Sequence, residues 1–394
     1  MSELPVLFDE RPTADGGRIG VATLNAPRAL NSLSLEMAQH LDARLEAWAV
    51  DPGIVAVWIE GSGEKAFCAG GDVVALYRAF SEEGDNAENA GDGDPATIYF
   101  GLEYRLDYRI HTYPKPVMVW ADGIVMGGGL GLTAGASHRL VTETTLIAMP
   151  EITIGLYPDI GASWFLNRMP PGVGAYLGLT GAQLNARDAL DLGLGDHFIP
   201  REHRAALLEA LGQADFGDRS APARRAAVQA TLERFEARDQ APAGQVRPRQ
   251  DAIQALVGNV DVETAVSRIL ADASDDDWLA ANRKRLANGC PISAHLVWRM
   301  LERHAHTGLA DAFREELVVS VQCGRLGDFT EGVRALLIDK DKNPRWTHAD
   351  VASVPASLID AMFQPPWSSE EHPLRDLGDG HRVAALGSDP DVGV

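Results

Sequence analysis

The chain has 394 residues, 45% of them hydrophobic, and a formal net charge of −21. That length favours two domains, or one large domain with an appendage, and the apolar fraction is enough for a sizeable core. The charge makes nucleic acid and anionic membrane surfaces poor partners for the whole molecule, and an anionic small ligand would need a local cluster of Arg and Lys.

The three cysteines, Cys68, Cys290 and Cys323, are too far apart for a metal-ligand spacing or a disulfide framework. They fit a reducing, cytoplasmic compartment. The first residues, MSELPVLFDERP, lack the charged and apolar regions of a signal peptide. The weakly polar stretch 123–136 is too short and too rich in glycine to span a bilayer.

Taken in order, Arg18 to Leu24 reads as a strand. Ser34 to Ala49 reads as a helix, because Leu35, Ala38, Leu41, Leu45 and Trp48 recur at three- and four-residue steps and Ser34 can cap it. Ile54 to Ile59 and Val117 to Trp120 read as short buried strands. This order of β and α segments implies an α/β core with largely parallel strands. Ser81 to Pro95 is polar, acidic and glycine-rich, and reads as a surface loop able to close over a ligand. Beyond about residue 200 the pattern turns helical, at Ala205–Leu211, Ala223–Ala237, Val262–Ala271, Trp278–Ala287, Ser293–Arg303 and Leu309–Cys323. Gln240–Arg249 reads as a connector. The expected division is 1–200, 201–350 and a turn-rich tail, 351–394, whose last 25 or so residues are candidates for disorder.

Four short stretches carry chemistry. In Ala66-Phe67-Cys68-Ala69-Gly70-Gly71-Asp72 a strand ends, two glycines turn and Asp72 can cap a helix, which exposes backbone N–H groups. Cys68 in that run has no local activating base and reads as an inert buried thiol. The run Met126-Gly127-Gly128-Gly129-Leu130-Gly131-Leu132 lets backbone N–H groups approach a ligand oxygen, because no Cβ intervenes. It matches neither a dinucleotide fingerprint nor a P-loop. Two glycine turns of this kind suggest a pair of oxyanion donors. Glu151, in AMPEI, and Asp159, in GLYPDIG, sit in apolar surroundings that would raise a buried carboxyl's pKa and suit it to acid–base or nucleophilic work. Arg28, in NAPRALN, stands in a turn where it can meet a phosphate.

These four stretches, in this order, resemble the crotonase (enoyl-CoA hydratase/isomerase) superfamily. The likeness rests on NAPRALNSL, AFCAGGDV, GIVMGGGLGL and MPEITIGLYPDIGAS over about residues 5–200, and extends through the segment from Glu331 to Trp346 (EGVRALLIDKDKNPRW). It implies a ClpP/crotonase-like ββα spiral core with a helical C-terminal region. It also implies that the N–H groups of Gly71 and Gly128 polarise a thioester carbonyl, and that Arg28, Ala29, Leu30, Ala66, Cys68 and Ala69 hold the coenzyme A end.

Hydratases of this superfamily carry two catalytic glutamates, one of them at the position of Gly131. Here only the second, Glu151, remains. Water addition across a double bond needs two groups, so the resemblance points to the hydrolase branch. The expected reaction is hydrolysis of a short branched hydroxyacyl-CoA, 3-hydroxyisobutyryl-CoA in valine breakdown. Glu151 would be the principal carboxylate, acting through a mixed anhydride or through water. Asp159 and Glu103 would bind the substrate hydroxyl or orient water. No metal or redox cofactor is implied, coenzyme A being part of the substrate, and superfamily members usually assemble as trimers or hexamers. The alternatives are an enoyl-CoA hydratase or isomerase and a non-catalytic acyl-CoA-binding protein.

Overall fold

A computed structural model describes residues 4–82 and 94–379. The strands build two sheets. The larger takes β1 (Val6–Pro12), β2 (Arg18–Leu24), β3 (Ile54–Gly61), β5 (Val117–Ala121), β7 (His138–Val141) and β10 (His197–Phe198), in that spatial order. The smaller takes β4 (Ala66–Cys68), β6 (Ile124–Met126), β8 (Leu146–Ala148) and β9 (Leu184–Asn185). Only the β1–β2 and β8–β9 pairings are antiparallel.

Each turn of the chain repeats one path. It runs up a strand of the large sheet, crosses to a strand of the small sheet and leaves along a helix. Thus β3 and β4 lead to α2 (Val73–Glu82), and β5 and β6 lead to α4 (Gly128–Ala134). The ββα coil expected from the resemblance is therefore present. Strand β3 is buried from Ile54 to Glu60, as a parallel strand covered on both faces should be. One face of the large sheet packs Ile19, Val55, Trp58, Met118 and Trp120 against Leu207, Leu211, Val228 and Leu232 of two later helices. The other face belongs to a core that runs without a break from Val6 to Leu377.

The helix read at 34–49 is α1 (Leu35–Val50), with Ser34 accepting from the Met37 N–H at 3.1 Å. After residue 201 the described elements are all helical, including Pro291–His304 and Leu309–Leu326. None of the described helices is long and apolar enough to cross a membrane. Of the acidic stretch 81–95, Ser81 and Glu82 end α2, and Asp94 caps α3 (Pro95–His111); the rest lies outside the described residues.

The tail is more ordered than a turn-rich reading implied. Ala356–Met362 is a helix that buries Ile359 and Met362, and Leu374 and Leu377 are buried beyond it. Arg105 of α3 holds Asp376 through two hydrogen bonds, of 2.8 and 2.7 Å. Apolar anchors spaced through a polar segment explain the difference. Residues 380–394 lie outside the described part.

Candidate active site

The small sheet assembles the site. β4, β6 and β8 are parallel neighbours, so their C-terminal ends lie side by side. Those ends lead into Gly70-Gly71, Gly127-Gly128 and Met149-Pro150-Glu151 respectively. Gly70 has φ +117° and Gly127 φ +46°, conformations that glycine adopts without strain, and each turns the N–H of the following glycine. Among the described residues, neither the Gly71 nor the Gly128 N–H has a protein acceptor. A Cβ on Gly127 would stand 3.3 Å from Gly70 Cα and 3.6 Å from Glu151 Oε1. Gly127 thus stands in close contact with both the Gly70 turn and Glu151, and its positive φ is what a side chain would strain.

A single cavity is lined by Gly71, Gly128, Glu103, Glu151 and Asp159, with Leu336 and Leu337 forming an apolar wall. The two N–H donors and three acids named from the sequence thus come together. Glu151 and Asp159 do not face away from the glycines, as a site that had lost its chemistry would allow. Tyr99 and Phe100 line the cavity as well, so the α3 aromatics are partly pocket and partly core.

The acids are buried, and burial dominates their chemistry. It pushes Glu151 and Glu103 well above the usual carboxylate range, with the charge of Asp159 adding to the effect on both. Burial raises Asp159 to about 6, against the pull of a hydrogen bond from Tyr104. That bond, from the Tyr104 hydroxyl to Asp159 Oδ2, is 2.5 Å long. The same hydroxyl is 2.7 Å from Ser320 Oγ, and Ser320 Oγ is 3.1 Å from the Tyr157 hydroxyl, which donates to the Glu316 carbonyl at 2.8 Å. The Glu316 carboxylate accepts from the N–H groups of Gly161 (2.7 Å) and Ser163 (3.1 Å) and from the Ser163 hydroxyl. The turn carrying Asp159 is thereby held from both sides by α3 and the Leu309–Leu326 helix.

The residues expected to hold coenzyme A divide. Arg28, Leu30 and Ala66 line a second cavity, together with Lys65. Ala69 lines the first, and its N–H bonds the Leu30 carbonyl at 3.0 Å. Ala29 and Cys68 line neither of the two. Burial of Cys68 pushes its thiol up to about 12, which fits the inert reading.

Four residues that matter here were not singled out as site residues from the sequence: Tyr104, Ser320, Glu316 and Asp107. The last corrects the picture of position 131. A Cβ on Gly131 would overlap both carboxylate oxygens of Asp107. The space left by the absent glutamate is filled by an acid from α3. The signal was available, because Asp107 follows Glu103 by four residues and so shares its helical face.

The enoyl-CoA hydratase/isomerase family pattern matches residues 19–363. The chain is 37% identical to mitochondrial 3-hydroxyisobutyryl-CoA hydrolase of Danio rerio, over 88% of this chain and 87% of that one. It is 34% identical to the small ribosomal subunit protein mS47 of Neurospora crassa, over 90% and 70%. Among solved structures, an enoyl-CoA hydratase from Rhodobacter sphaeroides is similar, with a TM-score of 0.78, 33% identity, and 92% and 98% of the two chains covered. The 3-hydroxyisobutyryl-CoA hydrolases of Gallus gallus and Homo sapiens are similar too, at 37% and 34% identity over 89% and 90% of this chain and 87% and 88% of theirs.

Proposed function

The chain belongs to the enoyl-CoA hydratase/isomerase family, and from that premise we propose that it hydrolyses a short branched hydroxyacyl-CoA thioester, 3-hydroxyisobutyryl-CoA in valine breakdown. The observation that carries this reading is the placement of Glu151 beside the Gly71 and Gly128 N–H pair, while position 131 carries no side chain. The likeness to a hydrolase over most of both chains supports it.

The chemistry follows from the geometry. The two N–H groups polarise the thioester carbonyl and take the charge that develops on its oxygen; losing one such donor typically costs about 3–4 kcal/mol. In one route Glu151, ionised, accepts a proton as water oxygen bonds to the carbonyl carbon. The tetrahedral oxyanion then collapses, the C–S bond breaks, and the proton passes to the leaving thiolate. In the other, a Glu151 oxygen attacks the carbonyl first, the thiolate leaves, and water cleaves the resulting anhydride. Asp159 and Glu103 bind the substrate hydroxyl or orient the water. Arg28 and Lys65, in the second cavity, are the cations for the nucleotide phosphates.

The test is free-thiol release from 3-hydroxyisobutyryl-CoA by the wild type and by Glu151→Gln. Turnover of the variant within a few-fold of wild type would remove Glu151 from its role. Incubation with crotonyl-CoA separates the hydratase reading, which predicts loss of the enoyl absorbance without thiol release. Assembly as a trimer or hexamer and a reducing, cytoplasmic setting belong to the same proposal. Three unpaired cysteines support the reducing setting.

A further inference from the structure

α3 and α4 pack closely, and the contact follows a pattern. Glu103 and Asp107 lie one turn apart on α3, and Gly128 and Gly131 lie almost one turn apart on α4. A Cβ on either glycine would collide with the carboxyl opposite it. Glu103 lines the acyl cavity, whereas Asp107 sits behind it and does not. Glu103 Oε1 and both carboxylate oxygens of Asp107 are buried, and among the described residues none of them has a hydrogen-bond partner.

The groups facing Asp107 offer no positive charge. They are Glu103 on the same helix, Asp159 on its turn and Glu316 on the Leu309–Leu326 helix, all acids that push the Asp107 carboxyl further above its ordinary range than burial alone. α4 contributes only glycine backbone at this contact. His111, one turn further along α3, is held neutral, lowered to about 4 chiefly by burial. Two neighbouring buried carboxyls without a cation do not both ionise. A proton shared between them would satisfy two of the three orphaned oxygens, and an unsatisfied buried acceptor is costly.

We propose that Asp107 is a positioning residue: it keeps that proton and donates it to Glu103 Oε1, which fixes the Glu103 carboxylate as the acceptor for the hydroxyl of the acyl group. The role rests on the hydrolase reading above and gives it a source of specificity. Asp107 does not touch the substrate. It holds the rotamer and the charge of the residue that does.

The test compares Asp107→Asn and Asp107→Leu with wild type, measuring thiol release from 3-hydroxyisobutyryl-CoA and from isobutyryl-CoA, which lacks the hydroxyl, between pH 6 and 9. Asparagine retains a donor that does not titrate, and should keep the preference for the hydroxylated substrate within about threefold. Leucine removes the donor, and the preference should fall by about tenfold or more, mostly through kcat/KM of the hydroxylated substrate. A preference that is unchanged in both variants, or equal losses on both substrates, would overturn the role. Circular dichroism checks folding, and if the leucine variant fails it, Asp107→Ala, which also removes the donor, takes its place. Absence of thiol release from either substrate by the wild type would overturn the hydrolase reading, and this role with it.

Discussion

Replacing Tyr104 with Phe removes one oxygen atom from a fully buried side chain and leaves its ring in place. Asp159 Oδ2 then loses its 2.5 Å donor, in a setting where water does not readily substitute. A hydrogen bond to a charged buried group contributes roughly 1.5–3 kcal/mol. The same bond holds the Asp159 pKa down against burial. At 1.36 kcal/mol per pH unit, its loss raises that pKa by roughly 1–2 units above its present value of about 6. Wild-type Asp159 is mostly ionised at pH 7, and in the variant it is about half to nine-tenths protonated there. If the reaction needs the Asp159 carboxylate, the acid limb of kcat/KM shifts upward by the same interval, and activity at pH 7 falls by about 2- to 10-fold. The assay is thiol release between pH 5 and 9, with the melting temperature as a control for folding. An acid limb that stays where it was would refute the reasoning.

Two other outcomes follow from the buried acids. Gly131→Glu should not create crotonyl-CoA hydration, because its Cβ meets the Asp107 carboxyl. The overpacking should cost about 1–3 kcal/mol, read as a lower melting temperature that Asp107→Gly in the same chain partly restores. Glu316, raised to about 8 mainly by burial, binds a proton in the folded chain over a pH range where the unfolded chain has released it. Its stabilising contribution is therefore complete below the ordinary value of 4.5 and is lost as pH rises through about 8. The melting temperature should fall from pH 5 to 8.5 in the wild type and fall less steeply in Glu316→Gln; equal slopes would dismiss the assignment.

The parts of this site that were legible in the sequence are those whose chemistry is local. A glycine pair after a strand, an acid in an apolar run and a capping serine each announce themselves within a few residues, while the choice of Gly71 and Gly128 among the glycines comes from the family resemblance. Their convergence needed the topology, because β4, β6 and β8 are neighbours in space but not in sequence. The Tyr104–Ser320 contact joins residues 216 positions apart, and no spacing rule reaches that far. Asp107 is a different case. Its four-residue offset from Glu103 placed two charges on one face of a helix otherwise rich in aromatics, a conflict of pattern that marks a buried polar pair. Gly131 was read as an absence, and only the packing of α3 on α4 reveals what occupies its place.

Synthesis proceeds from the N-terminus, and the site's components are delivered in a fixed sequence. Both N–H donors and Glu151 belong to the part of the chain made first, whereas Ser320, Glu316 and the Leu336–Leu337 wall come much later. At ordinary translation rates the interval is on the order of ten seconds or more. During it, Tyr104 has no Ser320 to meet, and the turn bearing Asp159 lacks the Glu316 carboxylate that anchors it. A chain halted in that interval lacks the contacts that fix Asp159 beside Glu151. Ribosome-bound chains halted before and after residue 320 should differ in how well they turn over a thioester.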